Sequence, residues 1–278
     1  MIFISPRSSN RRFSCFLFVC SFSASLLFGN AALQRAFAQE DQPSAAGKKD
    51  SKTYVLKRIY KKGETSRYAA KMNSTMASKN GKEPEETSGQ FETKEYVKEA
   101  NKDGSFTVSL EFVSAKMRMN NAEIDIVSKF PLITAKCDIL GNISTTTDGG
   151  DPQFATFFKS IGGLTNTDNS FPKKPVKIGE EWEKSERISS QDGKSDVETE
   201  TIYRLLVAES LDGLKALKVI SHSTTQGGDN SKDENTNWYE EKTGKLIKMV
   251  SSGKSGSPGN ETTTTITVKY IQPNRKGQ

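Results

Sequence analysis

The stretch Phe106-Thr107-Val108-Ser109-Leu110-Glu111-Phe112-Val113-Ser114-Ala115-Lys116-Met117-Arg118-Met119 alternates apolar and polar residues, but in two phases. Phe106, Val108, Leu110 and Phe112 share one parity, and Val113, Ala115, Met117 and Met119 share the other. Successive side chains of a strand point to opposite faces, so one parity is one face of a sheet. An apolar face that switches parity in mid-run predicts a strand with a bulge or a bend in it.

The same period of two recurs at Tyr203, Leu205 and Val207, and at Ile266, Val268 and Tyr270 after the Thr262–Thr265 run. Threonine and other β-branched residues pack well on a pleated surface. Asn80-Gly81, Asp103-Gly104, Asp192-Gly193 and Asp212-Gly213 fall between the runs and predict hairpin turns. One segment, 152–161, reads as a helix. Asp151-Pro152 starts it, Phe154, Phe157, Phe158 and Ile161 lie at three-and-four spacing, and Gly162-Gly163 stops it. So short a helix must dock to be stable, and those four apolar residues are the candidates to face a ligand.

An internal repeat is visible. Lys61-Lys62-Gly63-Glu64, with Tyr68 following, resembles Lys177-Ile178-Gly179-Glu180, with Trp182 following. Asp103-Gly104 resembles Asp212-Gly213, and the segment 136–143 resembles 240–247. The order matches in both halves. The expected fold is therefore mainly β: a curved antiparallel sheet, either a half-barrel or a sandwich, built from two similar halves, 53–150 and 172–272. The helix and Phe171-Pro172-Lys173-Lys174-Pro175 connect them, and the preferred arrangement lays the helix against the concave face.

The first 38 residues read as a cleavable signal peptide. Arg7, Arg11 and Arg12 precede an uncharged run, Phe13–Phe28, and the small residues Ala36 and Ala38 stand before a cut at Gln39. The rival reading is a retained anchor, but the run is short for a span of ~20 residues and carries serines. Cys20 lies inside the apolar run and follows Val19, which argues against lipidation. Residues 39–52 read as a flexible linker and 273–278 as a disordered tail. The expected location is exported, periplasmic or secreted, with no stable membrane span after processing.

The leader's four arginines account for four of the six net positive charges, leaving +2. That small charge gives no reason to expect a nucleic-acid partner. Cys15 and Cys20 leave with the leader, so only Cys137 remains and no internal disulfide forms. Cys137 reads as a small buried apolar residue.

Catalytic equipment is sparse. The chain has one histidine, His222, read as a surface residue near a strand end. Zinc needs three or four His, Cys or acidic ligands at suitable spacing, which this composition does not offer. Asp229-Asn230-Ser231-Lys232-Asp233 with Glu240 has some calcium-loop spacing, but Glu234 stands where that loop needs glycine. Glu180, Glu181 and Glu183 flank Trp182, and acids adjacent on a strand point to opposite sides. No glycine-rich stretch has phosphate-loop spacing. The basic, aromatic segment Tyr54–Lys62 reads as an edge strand whose lysines block unwanted pairing. No catalytic residue, metal ligand or cofactor is assigned.

Phe171-Pro172-Lys173-Lys174-Pro175-Val176-Lys177-Ile178-Gly179-Glu180-Glu181-Trp182 resembles a family of bacterial exported proteins of unknown function, common in Planctomycetes, which carry F-P-x-K-P-V-K-x-G-x-x-W between two β-rich halves. Lys62-Gly63-Glu64 and Trp238-Tyr239 with Thr243-Gly244-Lys245-Leu246 fit the same pattern. More remotely, the layout is similar to the half-barrel of Lol-type lipoprotein carriers and mycobacterial lipid-binding lipoproteins. The first likeness brings no catalytic residues. The second implies an apolar cavity, by analogy of fold. Together these readings lead to an exported, non-enzymatic envelope protein that binds a lipid or another apolar ligand. The alternative is a structural or protein-interaction module with envelope proteins as partners, and the third choice a hydrolase working through Glu180, Glu181 and Glu183.

Overall fold

The computed structural model describes residues 52–77, 84–119, 122–127, 132–148, 171–189, 196–226, 231–256 and 261–272. Fourteen strands lie in them: β1 (Thr53–Tyr54), β2 (Thr65–Met76), β3 (Glu85–Ala100), β4 (Phe106–Met119), β5 (Ala122–Asp125), β6 (Leu132–Cys137), β7 (Ile143–Asp148), β8 (Val176–Lys177), β9 (Glu181–Ser189), β10 (Asp196–Leu211), β11 (Leu214–Gln226), β12 (Ser231–Glu240), β13 (Leu246–Ser255) and β14 (Thr262–Tyr270). The segment expected to be helical, with Phe154, Phe157, Phe158 and Ile161, lies outside the described residues. So do the leader with its cut at Ala36, Ala38 and Gln39, the turns at Asn80-Gly81 and Asp192-Gly193, and the tail 273–278.

β1 and β8 pair with each other, and the other twelve strands form one antiparallel sheet. Its order is β7-β6-β4-β3-β2-β14-β13-β12-β11-β10-β9, with β5 beside β4. The first and last long strands meet in the middle: Ala70 opposes Val268 and Met72 opposes Ile266. The two halves thus form one continuous curved sheet, not closed into a barrel.

The phase switch in Phe106–Met119 is a bulge. Glu92 opposes Ser114 while Thr93 opposes Phe112, so Val113 is the extra residue. Val113 is 41% exposed, while Phe112 and Ala115 on either side of it are buried. The extra residue lets Phe112 and Ala115, three apart, share one face. A second bulge corrects the reading of Tyr203, Leu205 and Val207 as one face. The pairing steps from Leu205↔Val219 to Val207↔Lys218. Leu206 is extra there, Val207 turns outward, and Ala208 packs on the core instead.

The repeat is present in backbone geometry. In the first half, Gly63 N–H donates to Val97 O and Val97 N–H to Glu64 O. In the second half, Gly179 N–H donates to Leu205 O and Leu205 N–H to Glu180 O. In both turns the glutamate carboxylate accepts from the backbone N–H of the lysine three residues earlier, at 3.2 Å for Lys61 and 2.7 Å for Lys177. Gly63 and Gly179 both have φ 85°, in the left-handed region that side chains disfavour. One residue beyond Val97 and beyond Leu205 the strand bulges. In register, β2, β3, β4, β6 and β7 correspond to β9, β10, β11, β12 and β13.

One face of the sheet, here called inner, carries the core. Ala70, Phe91, Leu110, Phe112, Ala115 and Ile133 come from the first half, and Leu205, Leu217, Val219, Tyr239 and Met249 from the second. The segment Tyr54–Lys62 is not the edge strand expected of it. Only Thr53 and Tyr54 pair, with Lys177 and Val176. The following residues run as an extended strap that buries Tyr54, Leu56, Arg58 and Tyr60 in alternation. The strap joins the halves: Arg58 N–H donates to Ile139 O in the first and Ile59 N–H to Thr243 O in the second. Phe171 and Val176 of the connector are buried beside it. Together these segments cover the end of the inner face where the tight turns lie.

Candidate ligand-binding face

Beyond the strap, the inner face has two chemically different walls at equivalent places in the repeat. On the first half Val108 opposes Ala135 and Leu110 opposes Ile133. At the matching positions of the second half Val219 opposes Asn237 and Ser221 opposes Asn235. That polar wall continues with Thr201, hydrogen-bonded to Ser223 at 2.9 Å, and Thr199, hydrogen-bonded to Thr225 at 3.1 Å. Asn235 Nδ2 donates to Ser221 Oγ at 3.4 Å. Alternation by two gives each strand an inner face but does not require that face to be apolar. The second half uses hydroxyls and amides, and Thr199, Thr201, Ser221, Ser223, Thr225 and Asn235 among them bond in cross-strand pairs.

The apolar wall runs on past the core toward the end away from the tight turns. Ala70 opposes Phe91, Met72 opposes Gly89, and Gly89 opposes Met117. Met117 opposes Ile124 and Met119 opposes Ala122. Met72 is buried and Met117 partly buried, but Met119 is 42% and Ile124 46% exposed. Methionine is unbranched and polarisable, so it adapts to irregular apolar partners.

At the covered end, Arg58 is 2% exposed. Its guanidinium carbon lies 5.7 Å from the Phe171 ring centroid. Glu95, also buried, faces it electrostatically and accepts a hydrogen bond from Tyr60. Burial pushes the Glu95 carboxyl above its ordinary value, with Arg58 and Tyr60 pulling the other way. Burial likewise raises the Tyr68 and Tyr239 hydroxyls. It pushes the Cys137 thiol up to about 11, so this cysteine is held as the neutral thiol. Arg58 acts electrostatically on Tyr68, Cys137 and Tyr239 alike, which puts it between the main core and the smaller cluster of Tyr60, Val97, Phe106, Val108, Ala135 and Cys137. Sequence reasoning missed this buried pair. The signal was the alternation Tyr54, Leu56, Arg58, Tyr60, in which arginine holds an inward place.

The other residues singled out in the sequence do not converge. Glu180 closes its own turn by accepting from Lys177. Glu181 lies 3.9 Å from Arg204 Nε, and Glu183 is exposed on the same outer parity. His222 sits in mid-strand rather than near a strand end, with Nδ1 4.0 Å from Glu234. Asp233 and Glu240 belong to strand β12, not to a loop, and burial raises the Asp233 carboxyl. Among the described residues no group of three or more His, Cys, Asp or Glu is placed to hold a metal. No helix among them is long and apolar enough to cross a membrane. A shallow polar depression on the outer face, lined by Ser185, Glu198, Glu200, Thr224 and Gln226, offers no apolar surface of note.

No family model matches the chain, and no curated protein matches it either. Among solved structures, the fold is similar to lipovitellin. That structure, which concerns lipid–protein interactions in lipovitellin, matches with a TM-score of 0.50 and 10% identity, over 79% of this chain and 26% of lipovitellin's. The chain thus spans about a quarter of the lipovitellin length. The hypothetical lipoprotein YmcC from Escherichia coli matches with a TM-score of 0.28 and 12% identity, over 78% of this chain and 90% of that one. A DUF1329 family protein from Desulfovibrio piger matches with a TM-score of 0.22 and 12% identity, over 78% and 88%. The likeness to lipovitellin is one of fold, and the two lower scores carry no argument.

Proposed function

We propose that this chain is an exported carrier that holds an amphiphile against the inner face of its open sheet, working by binding and not by catalysis. One observation carries the reading: the apolar wall from Phe91 and Met72 continues into Met119 and Ile124, which expose large apolar surface on the same face. Contiguous apolar surface that a fold leaves uncovered is where partners or ligands bind. The hydroxyl and amide wall opposite supports a ligand that is part apolar and part polar, rather than a pure hydrocarbon. The lipovitellin likeness supports an open sheet as a scaffold for such a role, by analogy of fold alone.

The test is solvent extraction of the chain beginning at Gln39, purified from a bacterial periplasm, with mass spectrometry of the extract and titration with an apolar fluorescent probe. A co-purifying amphiphile and saturable probe binding are expected. Met119→Asp together with Ile124→Asp lowers probe affinity about thirty-fold, since each charge removes apolar contact worth ~1 kcal/mol. A clean extract with no saturable binding would overturn the reading. Export is checked separately: protein from the envelope fraction begins at Gln39, and an intact Met1 on cytosolic protein would refute it.

A further inference from the structure

We propose that Arg58 is the receptor for an acidic group, a carboxylate or a phosphate ester, at one end of the bound amphiphile. This rests on the binding reading above and names the ligand's chemistry.

A guanidinium taken out of water is costly unless charge and hydrogen bonds compensate it. Arg58 is almost wholly buried, yet its Nε and Nη2 have no protein acceptor. Glu95 Oε1, the acid oxygen available to it, has no protein donor either. Two further buried hydroxyls are in the same state, Tyr68 Oη and Thr93 Oγ1. Tyr68 and Thr93 are directly opposed across β2 and β3, and Thr93 is two residues from Glu95 on one strand face. Tyr68 feels both Glu95 and Arg58 electrostatically. Four donor-bearing atoms and one carboxylate oxygen are thus gathered in one buried region without bonding to one another, although folded proteins pair nearly all such groups. A planar guanidinium fork suits a carboxylate or phosphate, which can accept two of its N–H groups at once.

The fold itself does not call for this cluster. The repeat places Ser66 and Glu95 where the second half has Trp182 and Tyr203. There the rings stack, centroids 5.4 Å apart and 7° from parallel. The second half closes the same corner with aromatic packing, so the buried acid and arginine of the first half serve something other than closure. The apolar wall leads away from the cluster: Tyr68–Thr93, then Ala70–Phe91, then Met72–Gly89. From Thr93 to Gly89 the strand rises ~13 Å, a reach suited to an acyl chain. Entry requires the strap to yield. Its middle is held to the sheet by the bonds from Arg58 N–H to Ile139 O at 2.9 Å and from Ile59 N–H to Thr243 O at 2.8 Å.

The experiment uses the delipidated chain beginning at Gln39, with dodecanoate, dodecyl phosphate, dodecanol, acetate and inorganic phosphate competing for an apolar fluorescent probe. Dodecanoate or dodecyl phosphate displaces the probe at about one-tenth the concentration of dodecanol or less, the ~1.4 kcal/mol of one charge-assisted hydrogen bond. Acetate and phosphate do not compete at those concentrations. Arg58→Met collapses the preference for acid over alcohol, and Arg58→Lys keeps part of it. Equal displacement by dodecanoate, dodecyl phosphate and dodecanol in the unmutated chain would overturn the assignment and leave the binding reading standing, and this comparison needs no variant to fold. A preference that survives in folded Arg58→Met would overturn it too. Competition by acetate or phosphate alone would replace the amphiphile with a small anion. Failure of every amphiphile to displace the probe would overturn both readings.

Discussion

Phe171 meets Tyr239 edge-on, with ring centroids 5.0 Å apart and planes at 88°. This contact fastens the connector between the halves to strand β12, and it explains the phenylalanine at the head of the Phe171–Trp182 motif. Its backbone is fixed as well, since Phe171 N–H donates to Leu140 O at 2.7 Å in the first half. Phe171→Ala should cost ~3–5 kcal/mol, the usual toll for deleting a buried ring. Phe171→Leu should cost markedly less. Urea unfolding of the two variants checks the difference.

Gly244 and Gly179 separate two reasons why a turn needs glycine. Both have positive φ, 64° and 85°. A Cβ on Gly179 would meet nothing within 4 Å, whereas one on Gly244 would stand 2.2 Å from Lys57 O in the strap. Gly179→Ala should therefore cost only the conformational penalty of ~1 kcal/mol. Gly244→Ala must also push the strap away and should cost at least ~2 kcal/mol more. Gly244→Ala should in addition speed proteolysis within residues 53–62, which limited trypsin digestion would read out at Lys57 and Arg58.

Glu95 predicts an unusual pH dependence. Its folded carboxyl is raised by burial, against the pull of Arg58, Tyr60 and Lys245, and with Glu64 adding to the rise. A raised acid binds its proton more tightly folded than unfolded. Its contribution to stability is complete below the ordinary carboxylate range and is lost as pH rises through the folded value. Subtracting the pH profile of Tm for Glu95→Gln from that of the unmutated chain should leave a fall toward higher pH. A difference that rises with pH would contradict this environment for Glu95.

Cys137 should be silent to thiol reagents while the protein is folded. It is buried, free of any disulfide, and its thiol is pushed up to about 11. The chain beginning at Gln39 should react with Ellman's reagent at pH 8 only after addition of guanidinium. Rapid labelling of the native protein would show that the small cluster around Tyr60 and Phe106 opens readily.

Much of this fold is written in local pattern. A bulge or bend within Phe106–Met119 could be read from the parity switch, because a buried face admits only one phase at a time, and the register then made Val113 the extra residue. The two Lys-x-Gly-Glu turns were legible because one backbone geometry demands one residue type at φ 85°. The strap was misread. Its basic residues suggest a solvent-facing edge, and that charge hid the alternation Tyr54, Leu56, Arg58, Tyr60, which turns Arg58 inward while Lys57 and Ile59 turn out. The chemistry of the inner face was only half legible. Leu110 and Ile133 announce an apolar wall, whereas Ser221 and Asn235 look like any exposed strand until the register sets them opposite one another inside.

The meeting of β2 with β14 has a consequence for the order in which the chain acquires its structure. Thr65–Met76 can pair with Glu85–Ala100 early, but its other side waits for Thr262–Tyr270, which is synthesised about 190 residues later. The central seam is therefore the contact of longest sequence separation, and contacts of that kind form late and slowly. Until it forms, two half-sheets each present an unpaired long strand to their surroundings, which makes this protein dependent on whatever shields such edges while synthesis and any transport are under way.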